Sequence, residues 1–402
     1  MKQTKIEMSS RQQTLSNRHE TLFLWDVWKS NPNGDPSGNE PRIDRHTKRC
    51  DVTDVCIKRS VRNYLVISSE KGIDTLLVTK LGEDASETVT LTERTINYLF
   101  GDEEKRGKTR GLVEQTIGKK PIKKEDSQKT YKSFLEQPSS ENLRALFDSK
   151  KGLPEVSKKE IKKVLRAHLC AIATDLRMFG SVLALEGDMN PLRGPLTGPI
   201  QIEIATSLHR VVQSNKQITS VMGSAEEMEA GIIGDTHCIE YGLFATSAIA
   251  NENAARFTGL SDADHDLFLK ALWRGTRERH TRTKNGVPRL LIDIEYNKPF
   301  HFGDLINSVK LDAKDEKKEE EYRSIQDFQL NLSEFYQKLK GKEDVVEKIR
   351  FADNGLISLE DFQKGLPDEL KNKVEAIQNI DYDVNKQSGD SNEAESQKET
   401  DQ

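Results

Sequence analysis

The fold is decided by three stretches of sequence, LFLWDVW at residues 22–28, NPNGDP at 31–36 and VTDVCIKRSVRNY at 52–64. The first is rich in apolar and aromatic residues and predicts a strand from Leu22 to Trp28. The second combines proline, glycine and asparagine, so the chain should leave the strand through a turn-rich loop. In the third, apolar residues recur at helical spacing between basic ones, which predicts a helix from about Thr53 to Ile67.

Three more strands and one more helix complete the pattern. Strands are predicted at Ile200 to Ser207, His237 to Thr246 and Arg289 to Tyr296. In the first and the third of these, polar residues alternate with apolar ones, so each of these two strands should be half buried. Ser261, with Asp264 three residues later, predicts the start of the second helix. The order β, α, β, β, α, β predicts an α+β protein with a ferredoxin-like (RRM-like) palm, a pattern common among RNA-binding domains.

Two insertions and an extension surround this predicted palm. In the first insertion Ser157 and Glu160 predict a helix start, and Ile325 to Leu339 favours a helix in the extension. The expected parts are a discontinuous palm (20–69 and 199–306), a helical insertion (70–198), a projecting hairpin inserted in the palm (209–236), a charged and partly helical extension (307–384) and an acidic disordered tail (385–402).

The charge of the chain is strongly segregated. The net charge is −5, and residues 381–402 alone carry seven acidic side chains against two lysines. Residues 274–289 carry six Arg or Lys against one Glu, and residues 42–62 carry seven against three Asp. Because a polyanion responds to local fields, these two basic segments are candidates for binding nucleic acid although the total charge is negative.

The amino-acid composition also predicts the cellular compartment of the protein. Residues 1–20 contain no apolar signal-peptide core, and no run of eighteen apolar residues follows, so neither secretion nor membrane spanning is expected. The few scattered cysteines are expected to be free thiols in a reducing, cytoplasmic compartment: Cys50, Cys56, Cys170 and Cys238.

Several motifs, taken in order over residues 20–306, resemble the backbone subunit of type I CRISPR surveillance complexes (Cascade), most closely the type I-B branch. Each is weak alone, and their order makes the set specific. They are the NPNGDP loop with PRID (41–44) and VTDVCIKRSVRNY, then DLRMFGSV (175–182), GPI (198–200), TSLHR (206–210), YGL (241–243), NENAA (251–255), LWRGT (272–276) and PRLL (288–291).

The resemblance implies a non-catalytic protein that needs no cofactor. Family members have a ferredoxin-like palm, a helical insertion and a thumb hairpin. In this chain the insertion would be residues 70–198 and the thumb hairpin residues 209–236. Copies stack along the CRISPR RNA, and each thumb displaces one nucleotide, so short runs of bases stay free to pair with target DNA. The expected partners are therefore CRISPR RNA, target DNA, identical subunits in a helical filament and other Cascade subunits, with no membrane.

Carried over residue by residue, the resemblance implies these RNA-binding positions. In the palm, phosphate contacts are expected from Arg42, Lys58, Arg59 and Arg62, with Asn33 shaping the loop beside them. At the end of the insertion, RNA is expected near Arg177 and Phe179, although Phe179 is equally compatible with core packing. In the thumb, Lys216 would meet a phosphate and Met222 would wedge between bases. A last basic cluster would face RNA or DNA, or be solvated charge: Arg277, Arg279, Arg282 and Lys284.

Three other interpretations of the sequence compete with the CRISPR backbone subunit. A metal-dependent endoribonuclease would use Asp35 or Asp44 of the loop to bind Mg²⁺ or to position water. A zinc site at His46, Cys50 and Cys56 lacks a CxxC pair and a fourth ligand, so no bound metal is expected. A general single-strand binder without a CRISPR role would suit the same fold and charge, and only the motif set argues against it.

Overall fold

The computed structural model describes residues 13–79, 88–118, 122–219, 233–281 and 283–381 of the 402-residue chain. Its strands are β1 (Arg18–Ser30), β2 (Arg42–Ile43), β3 (Cys50–Val52), β4 (Gly180–Leu183), β5 (Gly194–Thr197), β6 (Ile200–Ile202), β7 (Ala205–Ser207), β8 (Gln213–Thr219), β9 (Ile233–Ala250), β10 (Gly286–Tyr296), β11 (Lys310–Ala313), β12 (Phe328–Asn331), β13 (Val346–Asp353) and β14 (Val374–Ala376).

The helices of the described residues lie between these strands, and seven of them follow one another between β3 and β4. They are α1 (Asp54–Ser68), α2 (Leu91–Phe100), α3 (Glu103–Ile117), α4 (Glu125–Glu136), α5 (Ser140–Leu146), α6 (Glu155–Ile172), α7 (Thr174–Phe179), α8 (Glu252–Thr258), α9 (Asp262–Glu278), α10 (Ser333–Leu339), α11 (Leu359–Gly365) and α12 (Asp368–Lys371). Within the described ranges, no helix is both long and apolar enough to cross a membrane.

A large mixed sheet forms the centre of the protein. Its strand order is β14-β13-β10-β1-β9-β7-β3-β2, and β6 and β8 also pair with β9. The pairs are antiparallel except β13 with β14. The chain is therefore an α+β protein, and three predicted strands are confirmed, because they lie within β1, β9 and β10.

The fourth predicted strand, Ile200 to Ser207, is interrupted. Ile200 pairs with Ala250 in β6, whereas Thr206 pairs with Ala245 in β7, so the register against β9 shifts by one residue between them. Such an extra residue turns a side chain out of the alternating pattern. Ile204, which sequence alternation assigned to the buried face, is 56% exposed.

Helices α1 and α9 cover one face of the sheet, here called the helix face. Phe23, Trp25 and Val27 of β1 pack beneath them in one apolar cluster. Thr53 caps α1, and the predicted capping box of Ser261 and Asp264 is present at the start of α9. The two helices touch closely at Gly275, where an added Cβ would lie 2.4 Å from the carbonyl oxygen of Ser60.

The opposite face of the sheet is covered by residues that follow β10. Leu22, Leu24 and Ile292 belong to a second apolar cluster, together with aromatic side chains of this later part of the chain, Phe328, Phe335 and Phe362. Each such ring contributes roughly 1.5–3 kcal/mol through its burial. The prediction that β10 is half buried is therefore wrong: the face of Ile292 packs against the extension, and on the opposite face Asp293 is fully buried beside His265 of α9.

The extension also lengthens the sheet. β13 pairs with β10 through seven residue pairs from Leu290↔Asp353 to Tyr296↔Val346, and β14 follows at the edge. The expected helix from Ile325 to Leu339 is wrong in its first half, because Phe328, Leu330 and Leu332 alternate inward as a strand before α10 begins at Ser333.

The helical layer between α1 and β6 has its own core. Leu99 of α2, Val113 of α3, Phe134 of α4 and Leu165 of α6 belong to this third cluster. The predicted start of α6 at Ser157 is wrong: the helix begins at Glu155 after Pro154, without a side-chain cap. Proline lacks an N–H, which costs nothing where the first amides of a helix have no partner within the helix.

Candidate nucleic-acid interface

A clamp joins the NPNGDP loop to the start of α1. The Asn33 side-chain oxygen accepts hydrogen bonds from the Thr53 backbone N–H at 2.9 Å and from the Thr53 hydroxyl at 2.8 Å. The same hydroxyl accepts from the Cys56 N–H at 3.3 Å, which caps the helix. The loop is thus fixed against a helix N-terminus, where backbone amides favour anions.

Residues 283–285 fix the other side of the loop. The Lys284 ammonium donates to the Asn31 carbonyl oxygen at 2.7 Å, while the Ser30 hydroxyl and the Asn31 N–H donate to the Thr283 carbonyl oxygen at 2.6 Å and 2.9 Å. Partial burial lowers the pKa of Lys284. The basic segment after α9 and the loop after β1 therefore form one surface although they are far apart in sequence.

Three side chains that are expected to contact phosphate lie on the loop or on α1. Their own hydrogen-bond or ion-pair partners are incomplete or are not buried. An Arg42 Nη atom is 3.5 Å from the Gly34 carbonyl oxygen, and its buried Nε has no hydrogen-bond partner among the described residues. Lys58 pairs with Asp54 at 2.8 Å. Arg59 is exposed and donates to the Asn63 side chain at 3.1 Å. Each can gain a phosphate oxygen without giving up a buried partner.

Arg62 and Arg177 are in a different environment. Arg62 Nε donates to Asp175 at 2.9 Å, and that fully buried carboxylate also accepts from the Leu77 and Val78 backbone N–H groups. Arg177 makes a bidentate pair with Asp264 at 2.7 Å and 2.9 Å and donates to the carbonyl of Cys170 at 2.8 Å. Both guanidinium groups connect the helical layer to α1 or α9.

Phe179 packs inside the protein. It is 6% exposed and meets Phe268 edge to face, with ring centroids 6.1 Å apart. The Lys58 ammonium and the Arg62 guanidinium lie over its ring at 5.8 Å and 5.5 Å. The ring thus supports two cations of α1 from below, and little of it is exposed for stacking with a base.

The last basic cluster is divided between two directions. Arg277 pairs with Asp381 at 2.6 Å, whereas Arg279 points toward α1 and donates to the Cys56 sulfur at 2.8 Å. Lys284 joins the loop as described above. Lys216 is an exposed residue of β8. Two of the expected positions, Met222 and Arg282, lie outside the described residues.

The two loop aspartates are engaged in turns. Asp35 accepts from the Gly38 and Ser37 backbone N–H groups at 2.8 Å and 3.1 Å, and Asp44 accepts from the Thr47 N–H and hydroxyl at 2.6 Å and 2.8 Å. These bonds, led by those from Gly38 and Thr47, lower the pKa of both carboxyl groups. Stabilised carboxylates of this kind shape turns, and a low pKa makes them poor general bases at neutral pH.

Within the described part of the chain, His19, His265 and Asp293 form a group whose ligand atoms lie within 4.8 Å of one another. Arg350 donates to Asp293 Oδ2 at 2.6 Å and lies 3.2 Å from His19 Nδ1, so a guanidinium already supplies the positive charge there. Burial is the first reason why the pKa of His265 falls to about 4. The arrangement is a buried ion network beneath α9, at the opposite end of β1 from the loop.

Sequence reasoning missed the acidic partners and one aromatic residue. Asp175 fixes Arg62 in place and Asp264 fixes Arg177, and Asp175 opens the DLRMFGSV motif, so its position was visible but its pairing was not. Trp28 is 52% exposed beside the loop, with the Lys29 ammonium 4.8 Å from its ring centre. An exposed ring next to cations can stack on a nucleobase.

The chain resembles known proteins over most of its length. Residues 17–333 match the family model described as CRISPR-associated protein Cas7. A CRISPR-associated protein Cas7 of Haloferax volcanii is 27% identical over 366 residues, which cover 86% of this chain and 90% of that protein. A chain of a CRISPR RNA-guided surveillance complex in a pre-nicking state gives a TM-score of 0.47 at 16% identity, over 85% of this chain and 94% of that one. A second surveillance-complex chain gives 0.42 at 13% identity, over 85% and 91%.

Proposed function

The chain belongs to the Cas7 family of CRISPR-associated proteins, and we propose that it is the guide-RNA-binding backbone subunit of a type I surveillance complex of the I-B branch. Members of this family are non-catalytic backbone subunits. The ordered motifs from residue 31 to residue 291 support the choice of branch. Copies of the chain line up along one CRISPR RNA in the cytoplasm, contact the other subunits and leave the bases free to pair with target DNA.

The finer fold proposal is a ferredoxin-like palm. The order β10-β1-β9-β7, with α1 after β1 and α9 after β9, supports it, because a βαββαβ chain places its fourth strand beside its first and its third between its first and second. The helices α2–α6 then belong to the insertion, and β8 with the first half of β9 forms the base of the thumb hairpin.

One observation carries the RNA-binding proposal, namely that cations from three separate parts of the sequence lie on the loop or on the helix that the Asn33 clamp joins to it. Arg42 comes from β2, Lys58 and Arg59 from α1, and Lys284 from the segment before β10. Backbone phosphates are bound by such cations without reading the sequence of the bases. This division of labour is what RNA-guided recognition requires, since base pairing then supplies the specificity.

The expected contacts divide into two roles within this proposal. Arg42, Lys58, Arg59 and Lys284 face the loop and meet phosphate. Arg62 and Arg177 position α1 and α7 through Asp175 and Asp264, and Phe179 supports the cations of α1 from the core. Lys216 and Met222 of the thumb, together with Arg277, Arg279 and Arg282, keep their expected roles toward RNA or DNA as further parts of the proposal.

The endoribonuclease alternative has less support. Asp35 and Asp44 each accept backbone hydrogen bonds within their own turn, and neither belongs to a metal-binding group among the described residues. Incubation of the protein with its RNA and Mg²⁺ tests this alternative. A cleavage product that disappears in Asp44→Ala would support it, and intact RNA agrees with the backbone role.

The RNA-binding proposal is tested by replacing Arg42, Lys58 and Arg59 together with alanine. If three phosphate contacts are lost, the slope of log affinity against log salt should fall by about 2, because each contact with a single strand contributes roughly 0.7. Affinity should fall similarly for guides of unrelated sequence. The measurement is fluorescence anisotropy with labelled RNA at several salt concentrations.

A matched control removes three cations of the extension and its approach, Lys298, Lys364 and Lys371, which form surface ion pairs. This variant loses the same charge but should keep the salt slope of the unmodified protein. If both variants lose affinity equally, general charge and not the proposed surface binds RNA. If neither does, the surface around Asn33 is not an RNA site.

A further inference from the structure

We propose that the acidic segment 382–402 docks in the groove between α1 and α9 and competes there with nucleic acid for Arg59 and Arg279. The inference rests on the proposed function, because the competitor is the RNA backbone. The segment acts as an internal polyanion that weakens binding to short or incidental RNA. A long guide, with many phosphates along many subunits, displaces it.

The groove has a mixed lining that suits a chain with alternating apolar and acidic residues. It has a volume of about 300 Å³ and is lined by apolar residues, here called the floor, and by charged residues, here called the rim, which are three arginines and Glu278. Ile67 is 67% exposed at this floor, an unusual position for a large aliphatic side chain. The floor includes Val66, Ile67 and Ile73, and the rim includes Arg59, Arg62 and Arg279.

The described chain ends on the helix that forms one wall of this groove. Asp381 accepts from Trp273 Nε1 at 3.0 Å and pairs with Arg277 at 2.6 Å. Arg274 donates to the Ile380 carbonyl oxygen at 2.8 Å and also to the Tyr64 hydroxyl of α1 at 2.9 Å. Residues 380–381 are thus held within one helical turn of Gly275, which lines the groove.

The sequence that follows Asp381 matches the groove in pattern and charge. Beyond the anchored pair Ile380-Asp381, the sequence Tyr382-Asp383-Val384 continues the alternation of apolar and acidic residues, so its apolar side chains can meet the floor while Asp383 meets the arginines. Residues 382–402 contain six acidic side chains and two lysines, a balance of −4. For a linker of 21 residues, the length of segment 382–402, the general scaling gives a root-mean-square end-to-end distance of about 25 Å, which covers the groove from residue 381.

Tethering makes a weak contact effective. A short linker gives a local concentration on the order of 1 mM, so a segment that binds with a dissociation constant of about 0.1 mM reduces the affinity for a competitor about tenfold. Because the contact is mainly between exposed charges, it should weaken as salt increases. The effect on RNA binding is therefore largest at low ionic strength.

Docking is tested first without RNA. The full-length variant Val384→p-benzoylphenylalanine is irradiated, and the crosslinked peptides are identified by mass spectrometry. We expect crosslinks to residues 59–67 and 275–279, and their loss when a 12-nucleotide single-stranded RNA is added. Crosslinks elsewhere, or none, would overturn the docking proposal. Crosslinks to the groove that RNA does not displace would overturn the competition.

The functional test neutralises the segment in the full chain. Asp383, Asp390 and Asp401 become Asn, and Glu393, Glu395 and Glu399 become Gln. This variant should bind the 12-nucleotide RNA about tenfold more tightly at 50 mM salt and equally at 500 mM. A control with residues 385–402 in scrambled order keeps the charge and the Tyr382-Asp383-Val384 pattern, and should still compete to within about threefold of the unmodified protein.

The possible results separate this inference from the proposed function. Equal affinity of the neutral and unmodified proteins at 50 mM salt overturns the inference, whereas RNA binding itself then still supports the proposed function. If no variant binds RNA and the crosslink to the groove forms, the proposed function fails and the segment occupies the groove for another reason.

Discussion

The two ends of β1 place charged groups in opposite situations on the same helix face of the sheet. At its start, His19 and Thr21 meet Asp293, which is fully buried and bonded to His265 and Arg350. At its end, Ser30 leads into the loop and its joined helix α1, where cations come from three parts of the sequence; Arg59 is exposed and the others are half buried. At the start of β1 the carboxylate of Asp293 is surrounded by its cationic partners. At the end of β1 the cations contact mainly backbone carbonyl oxygens and solvent.

This difference shows how to separate structural from functional charge in this protein. A buried cation with a buried carboxylate partner loses stability when either is removed, because the remaining charge has no compensation. An exposed cation that contacts a carbonyl or a neighbouring amide can exchange that contact for phosphate at little cost. The same rule separates Arg62 from Arg59 on α1.

The largest expected effect is at the buried end. Asp293→Ala should lower the free energy of unfolding by about 4 kcal/mol, because Arg350 would remain buried without its main partner. Urea denaturation measures the loss. Asp266→Ala is the matched control, since Asp266 also pairs with Arg350 but is 55% exposed at its side chain, and it should cost less than about 1 kcal/mol. Equal losses in both variants would contradict the comparison.

The next effect is a dependence of stability on pH from the same network. The pKa of His265 is lowered from 6.5 to about 4, first because burial disfavours its charged form. Below pH 6.5 the unfolded chain binds this proton and the folded chain does not, so stability should fall by about 3 kcal/mol as pH falls toward 4.

His265→Gln tests this prediction, because glutamine cannot bind the proton. The variant should lose that share of the pH dependence between 6.5 and 4, measured by urea denaturation at intervals across this range. His168 and His209 also have lowered pKa values through burial, so part of the slope should remain. A variant with the full slope of the unmodified protein would show that His265 does not supply it.

A smaller effect distinguishes neighbouring arginines of α1. Arg62→Ala should cost about 2 kcal/mol of stability, since buried Asp175 loses its charged partner but keeps two backbone N–H bonds. Arg59→Ala should change stability by less than about 0.5 kcal/mol but reduce the RNA salt slope by roughly 0.7. Thermal unfolding and RNA anisotropy on both variants measure the four values. An exchange of the two patterns would reverse the assigned roles.

Local sequence patterns predicted most elements of the central sheet and the two helices that cover it well. The strands at 22–28, 237–246 and 289–296, the helix after Thr53 and the capping box at Ser261 depend on periodicity and capping within a few residues of one another. The predictions failed where residues distant in sequence determine the local structure. Examples are Ile204, which is exposed at the register shift, and β12, which forms where a helix was expected. Those outcomes depend on pairing with β9 and on packing against the sheet.

The candidate interface was predictable in its location but not in the role of each side chain. The loop from Asn31 and the basic helix after it were evident from the sequence. The partner of each cation was not, because Asp175 lies 113 residues from Arg62 and Asp264 lies 87 residues from Arg177. Exposure and pairing are properties of the folded surface, so composition alone treats Arg59 and Arg62 alike.

By itself, the sequence determined three strands of the central sheet and the two helices that cover it, where the basic segments lie and which family the motifs resemble, because these follow from local periodicity and residue order. Only the tertiary structure decided that the extension buries the second face of the sheet and that its end lies against α9. It also decided which arginines are neutralised by buried carboxylates. The physical reason is that burial and charge pairing depend on groups brought together across the chain, and no local pattern encodes those distances.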